Sequence, residues 1–233
     1  MFAGGKSYSR ISTLTNMESA AARRPLKTRQ RAWAQLIARM LVKTRISPNV
    51  ISIMSVVFAG CAGAAILFSP RMAGFARHLL LLVAAAFIQL RLLANMLDGM
   101  VAVEGGLQTK SGEIFNDLPD RISDALILVP AGYAVASLWY GPELGWSAAL
   151  LAIFTAYVRM LGGASGLQQS FVGPMAKPHR MATLTIACVL SLFEGAFLRF
   201  GMVLWVALIL INVGCVVTIW RRTARIVRGL ESR

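Results

Sequence analysis

Between residues 95 and 124 the sequence reads NMLDGMVAVEGGLQTKSGEIFNDLPDRISD, and its acids and amides are spaced for helices. Asn95 and Asp98, three apart, share one helix face. Gly112, Asn116, Asp120 and Asp124 follow at four-residue steps and form a slowly drifting stripe. Two antiparallel helices joined by residues 99–112 would turn these faces toward each other and make a pocket of oxygen ligands. Such oxygens suit a hard divalent cation, Mg²⁺ or Mn²⁺, which shares its shell with substrate phosphates. Gly99 and Gly112 flank the pocket, where a missing side chain admits a bulky phosphate or nucleotide.

The residues that must position this pocket are apolar. LLLLVAAAFIQL, residues 79–90, runs directly into it, and of the 233 residues 57% are hydrophobic and only 15% charged. A soluble domain carries roughly a quarter charged residues. Several stretches approach or exceed the ~20 apolar residues that cross a bilayer as a helix. The expectation is an all-α, polytopic membrane protein with six transmembrane helices near 48–68, 75–97, 114–138, 144–161, 181–197 and 202–220. A purely architectural reading, in which Asp98-Gly99 ends one helix and Ser111 caps the next, explains part of the pattern. It does not explain Asp120 and Asp124, two and three turns into a membrane helix, where a charge is costly and by default functional.

The net charge of +14 raises the possibility of nucleic acid. With the N-terminus inside, however, all but Arg71, Arg77 and Arg199 of the 24 basic residues fall on or near the cytoplasmic side. That asymmetry is the positive-inside pattern. It predicts cytoplasmic termini and a cytoplasmic pocket, and nucleic acid is not expected as a partner, since no basic groove is interleaved with aromatics. Trp139, Tyr140 and Trp146 mark an outer aromatic belt. Cys61, Cys188 and Cys215 all lie in predicted spans and read as small packing residues.

Four segments follow. Residues 1–28 are expected to be a mobile basic N-terminus. Residues 29–46 form an amphipathic interfacial helix, with Trp33, Leu36, Ile37, Met40 and Leu41 opposite Arg31, Gln35, Arg39 and Lys43. Residues 47–222 form the six-helix catalytic domain, and 223–233 a basic cytoplasmic tail. The polar N-terminal region holds no cleavable leader pattern, so the first span is expected to act as its own insertion signal. No inverted repeat of the transporter kind is visible. Arg159 at the inner end of the fourth span, and Lys177 and Arg180 before the fifth, are candidate phosphate partners. Positive-inside flanking is the plainer account of Lys177 and Arg180, and His179 reads as interfacial.

The spacing resembles the CDP-alcohol phosphatidyltransferase motif D-x-x-D-G-x-x-A-R-x(8)-G-x(3)-D-x(3)-D. Asn95, Asp98, Gly99, Ala102, Val103, Gly112, Asn116 and Asp120 fall on its fixed positions without a gap, and Arg121 supplies the basic residue that often follows. The six spans, the N-terminal helix and the Ser47-Pro48-Asn49 start of the first span extend the resemblance over most of the chain. It departs at three positions: Asn95 and Asn116 replace acids and Val103 replaces an arginine, so the motif's own negative charge halves.

The resemblance implies a metal site of Asn95, Asp98, Asn116 and Asp120, with Asp120 as general base. It also implies a nucleotide cradle of Asp98, Gly99, Ala102 and Gly112. Asp117, Asp124 and Arg121 are auxiliary candidates. The implied reaction moves a phosphatidyl or other phosphoalcohol group from a CDP-linked lipid or alcohol donor to an alcohol acceptor and releases CMP. Membrane lipid is then a partner, and a homodimer is compatible with these residues. Two other readings remain: a catalytically weak or inactive relative that binds nucleotide or lipid, and a small ion-coupled carrier.

Overall fold

A computed structural model describes residues 32–44, 46–107, 112–195 and 198–233, with the side chains of Glu113 and Asn116 outside that description. The segment expected to be mobile, 1–28, and the first three residues of the expected amphipathic helix, 29–31, lie outside the described residues. Among the described residues there are seven α-helices and no strand. They are α1 (Ala32–Lys43), α2 (Pro48–Phe68), α3 (Gly74–Glu104), α4 (Gly112–Ala134), α5 (Gly141–Ala164), α6 (Lys177–Leu190) and α7 (Met202–Glu231). Helices α2, α3, α5 and α7 are long and apolar enough to cross a membrane.

Sequence accounts for most of the helix ends. Ser47 caps α2 by accepting from the Val50 N–H, and Pro48 takes the first turn, where no amide donor is needed. Helix α3 does not stop at Asp98-Gly99. It continues to Glu104, because VAVE contains no breaker, and ends at Gly105 and Gly106, the latter at φ +63°. Helix α7 likewise runs through the basic C-terminal residues to Glu231. At 31 and 30 residues these two helices are about 45 Å long, well beyond the ~30 Å hydrocarbon layer.

The core is built from small residues and β-branched or Leu side chains. Ala59, Ala62, Ile66, Leu81, Ala84, Ile88, Ile127, Leu128, Ala148, Leu184, Leu208 and Ile211 form one buried cluster. Close approach of helices replaces bulk. A Cβ at Gly63 would stand 1.9 Å from the Leu126 carbonyl oxygen, and one at Gly132 would meet the Gly145 backbone at 2.7 Å. These contacts draw α2 onto α4 and α4 onto α5, the small-residue packing typical of membrane helices. The outward faces carry Ile53, Met54, Leu82, Leu150, Phe154, Leu210 and Val213, all exposed. An apolar exterior on so many helices fits lipid rather than water.

Helix α1 packs through Ala34 and Ala38 and leaves Trp33, Leu36 and Met40 exposed. At the opposite end of α3 from Asp98, Arg77 donates to Glu194 at 2.7 Å and lies over the Phe200 ring. Glu194 also accepts from the Gly201 and Val203 N–H groups at 2.8 Å, so the same carboxylate caps α7.

Candidate active site

Three polar residues of α3 share one face: Arg91, Asn95 and Asp98 succeed each other at steps of four and three. Helix α4 presents Asp117, Asp120, Arg121 and Asp124 toward them. The two helices run antiparallel and meet through these side chains, while α2 packs against both. Arg91 pairs with Asp124, and one turn nearer the helix end Asn95 pairs with Asp120. The cleft is a ladder of polar rungs.

Asp98 is buried. Its Oδ2 accepts from Ser52 of α2 at 2.7 Å, and its Oδ1 accepts from the Gly99 N–H. Asp120 is also buried, and its Oδ1 accepts from Asn95 Nδ2 at 2.7 Å and from Lys177 Nζ. Its Oδ2 lies 3.7 Å from Arg121. Asp117 takes Arg159 Nη2 on both oxygens, at 2.7 and 3.1 Å. The Arg159 guanidinium also stands 5.4 Å from the Phe171 ring centre.

Asp124 sits deepest. It accepts from Arg91 Nη2 at 2.7 Å and from Arg180 Nη2 at 2.6 Å, and all three side chains are essentially sealed from solvent. Arg180 extends the network to Thr155 Oγ1 and the Met175 carbonyl. Arg222 carries it further, donating to the carbonyls of Thr155 and Val172. These bonds, with Thr218 accepting from the Met175 N–H, fasten residues 172–175 to α7 and so fix where α6 begins.

The structure thus brings Asn95, Asp98, Asp120 and Lys177 together, with Asp117, Arg121 and Arg159 beside them. Asp124 and Arg180 lie below, bound to each other. Ala102 is one turn beyond Asp98, Val103 is exposed at the arginine position of the motif, and Gly112 opens α4. Asn116 is on α4 one turn before Asp120, and its side chain lies outside the described residues. Sequence reasoning missed Arg91, Ser52 and Arg222. Arg91 left a signal: it is the sole Lys, Arg, Asp or Glu between Arg77 and Asp98.

Among the described residues no three His, Cys, Asp or Glu side chains form a ready metal cage. The donors on hand are the Asp98 and Asp120 carboxylates and the Asn95 carbonyl oxygen, which stays available while the amide donates to Asp120. Three hard oxygens fit one divalent cation that completes its shell with phosphate oxygens. Five basic side chains, Arg91, Arg121, Arg159, Lys177 and Arg180, pair with three of the cleft's carboxylates, Asp117, Asp120 and Asp124, while Asp98 is held by Ser52 and the Gly99 N–H. A cleft with that balance is prepared for an anionic ligand.

Residues 45–220 match the CDP-alcohol phosphatidyltransferase family. The chain belongs to that family. It is accordingly a membrane phosphotransferase of phospholipid biosynthesis, as the motif's register implied. An uncharacterized protein of Aquifex aeolicus (strain VF5) is 26% identical over 193 residues, covering 81% of this chain and 86% of that protein. The fold is similar to phosphatidylinositol phosphate synthase (PgsA1) of Mycobacterium tuberculosis in a structure with CDP-DAG bound. The TM-score is 0.66 at 24% identity, over 83% of this chain and 92% of that one. A second structure of that synthase, in complex with manganese and citrate, matches with the same TM-score and identity over 83% and 88%. At this identity these structures speak for the fold of the transferase family and not for the substrates of this chain.

Proposed function

We propose that the α3–α4 cleft transfers a phosphatidyl group from CDP-diacylglycerol to the hydroxyl of an alcohol, releasing CMP. The observation that carries this reading is the convergence of Asp98, Asn95, Asp120 and Lys177, with Arg121 and Arg159 alongside, at one end of the bundle. A divalent cation, Mg²⁺ or Mn²⁺, held by Asp98, Asp120 and Asn95 would neutralise charge building on the departing CMP. Asn116, one turn before Asp120, joins that set in this reading. The structures similar to this fold, one with CDP-DAG bound and one in complex with manganese and citrate, support the donor and the metal.

Asp120 takes the proton of the acceptor hydroxyl as its oxygen attacks the phosphorus next to the lipid. The phosphorus–oxygen bond to CMP breaks, and the bonding pair leaves on the nucleotide. Lys177, Arg121 and Arg159 hold the diphosphate, while Gly99, Ala102 and Gly112 leave room for the nucleotide. The donor's acyl chains reach the cleft from the apolar flanks of the bundle. CMP release that requires both CDP-diacylglycerol and an added alcohol is the expected result. Tight nucleotide binding without release would leave the regulatory reading in place.

The membrane arrangement belongs to the same proposal. Helix α4 and the shorter α6 complete six spans with α2, α3, α5 and α7, since α4 packs on α2 and α5, and α6 on α3 and α7. Helix α1 lies in the headgroup layer, its exposed Trp33, Leu36 and Met40 reaching into lipid. The catalytic domain spans 47–222, and the C-terminal end of α3 and the basic end of α7, including 223–233, project into the cytoplasm. In a background lacking Cys61, an impermeant thiol reagent added outside should label a cysteine at Glu143 and spare one at Gln108. Strong outside labelling at Gln108 would reverse the orientation.

A further inference from the structure

Lys177 occupies a costly position. It is the first residue of α6, where the helix dipole opposes a cation, and no acidic residue of that first turn offsets it. Its ammonium is delivered instead across the cleft to Asp120, on the oxygen that also accepts from Asn95. The bond from the Met175 N–H to Thr218 and the bond from Arg222 to the Val172 carbonyl fasten residues 172–175 to α7 and hold the start of α6 in that place. Amides stand at 95 and 116, which leaves Asp98 and Asp120 as the anionic donors of the motif.

Resting on the transferase reading above, we infer that Lys177 is the permanent second cation of the centre, so that one exchangeable divalent ion completes it. With Lys177 on Asp120, the two carboxylates leave room for one dication, whose remaining charge the donor's diphosphate offsets. A second dication would have to compete with a tethered ammonium for Asp120, at a site with no further acid of the motif to hold it. An ammonium has three N–H donors. One engages Asp120, and the others remain to reach the donor's diphosphate beside the metal. The amides and the lysine are then one adaptation: the acids that a second metal would require are absent, and a fixed charge does its work.

The test is Mn²⁺ binding by the purified full chain in detergent, read from the electron paramagnetic resonance signal of free Mn²⁺. It uses Mn²⁺ alone and needs no turnover. The wild type should bind one ion per chain. Lys177→Met should lower the dissociation constant by ~10-fold or more, because a unit positive charge leaves the metal's immediate surroundings. Lys177→Arg, which keeps the charge, should stay near wild type. Adding Asn95→Asp and Asn116→Asp to Lys177→Met should give two bound ions with a dipolar-broadened spectrum. Two ions in the wild type, or equal affinity in wild type and a monodisperse Lys177→Met, would overturn the inference. Loss of CMP release with these Mn²⁺ results intact would remove the transferase reading and leave the cation role standing.

Discussion

Asp120→Asn should eliminate CMP release while the protein remains folded and monodisperse. The substitution preserves shape, and an amide oxygen can still accept from Lys177 and Asn95, which now share Asp120 Oδ1. What disappears is the proton acceptor and one charged donor to the cation. General-base contributions are typically 10²–10⁴-fold, so the expected loss is at least ~100-fold in kcat. Raising Mg²⁺ or Mn²⁺ tenfold should not restore it, because metal occupancy cannot replace a base. Activity within a few-fold of wild type would remove Asp120 from that role. Rescue by metal would reduce it to a ligand.

Asp124→Asn should act on stability first. The carboxylate is fully buried and is bonded to both Arg91 and Arg180, each sealed from solvent. Neutralising it leaves two guanidinium groups facing each other without a counter-charge. Breaking a buried ion pair from one side costs about 3–5 kcal/mol. For a chain of this size that corresponds to a fall of roughly 6–20 °C in the thermal unfolding midpoint in detergent. Asp124→Glu keeps the charge and should lose less. An Asp124→Asn protein with an unchanged midpoint but no activity would instead place Asp124 among the reacting groups.

The contrast between these two acids shows what spacing can and cannot say. The four-residue steps from Gly112 to Asp124 made a polar stripe on one helix legible, and the unbroken motif register located its partners on α3. Which acid works and which holds the bundle together was not legible, because the difference lies in partners far along the chain. Lys177 reaches Asp120 from 57 residues away, and Ser52 reaches Asp98 across 46. Arg180 was read as a phosphate ligand or a flanking charge, whereas its guanidinium turns inward to Asp124. Arg91 passed as one more basic residue among 24, although its position in an apolar run marked it as paired or functional. Helices α3 and α7 extend past the spans that hydropathy marks at 75–97 and 202–220 for a related reason. Hydropathy registers where lipid ends, while a helix ends only where its backbone meets a breaker such as Gly105-Gly106.

Transfer of a phosphatidyl group off CDP in this one cleft is the proposed reaction. It is tested most directly by incubating the purified protein with CDP-diacylglycerol, Mg²⁺ and one alcohol at a time: glycerol phosphate, inositol phosphate, serine or choline. Mass spectrometry should then follow CMP and phospholipid together. One alcohol should yield a new phospholipid and CMP in equal amounts, chelation of the metal should stop both, and Asp120→Asn should form neither. CMP appearing without a phospholipid product, or full activity from Asp120→Asn, would contradict it.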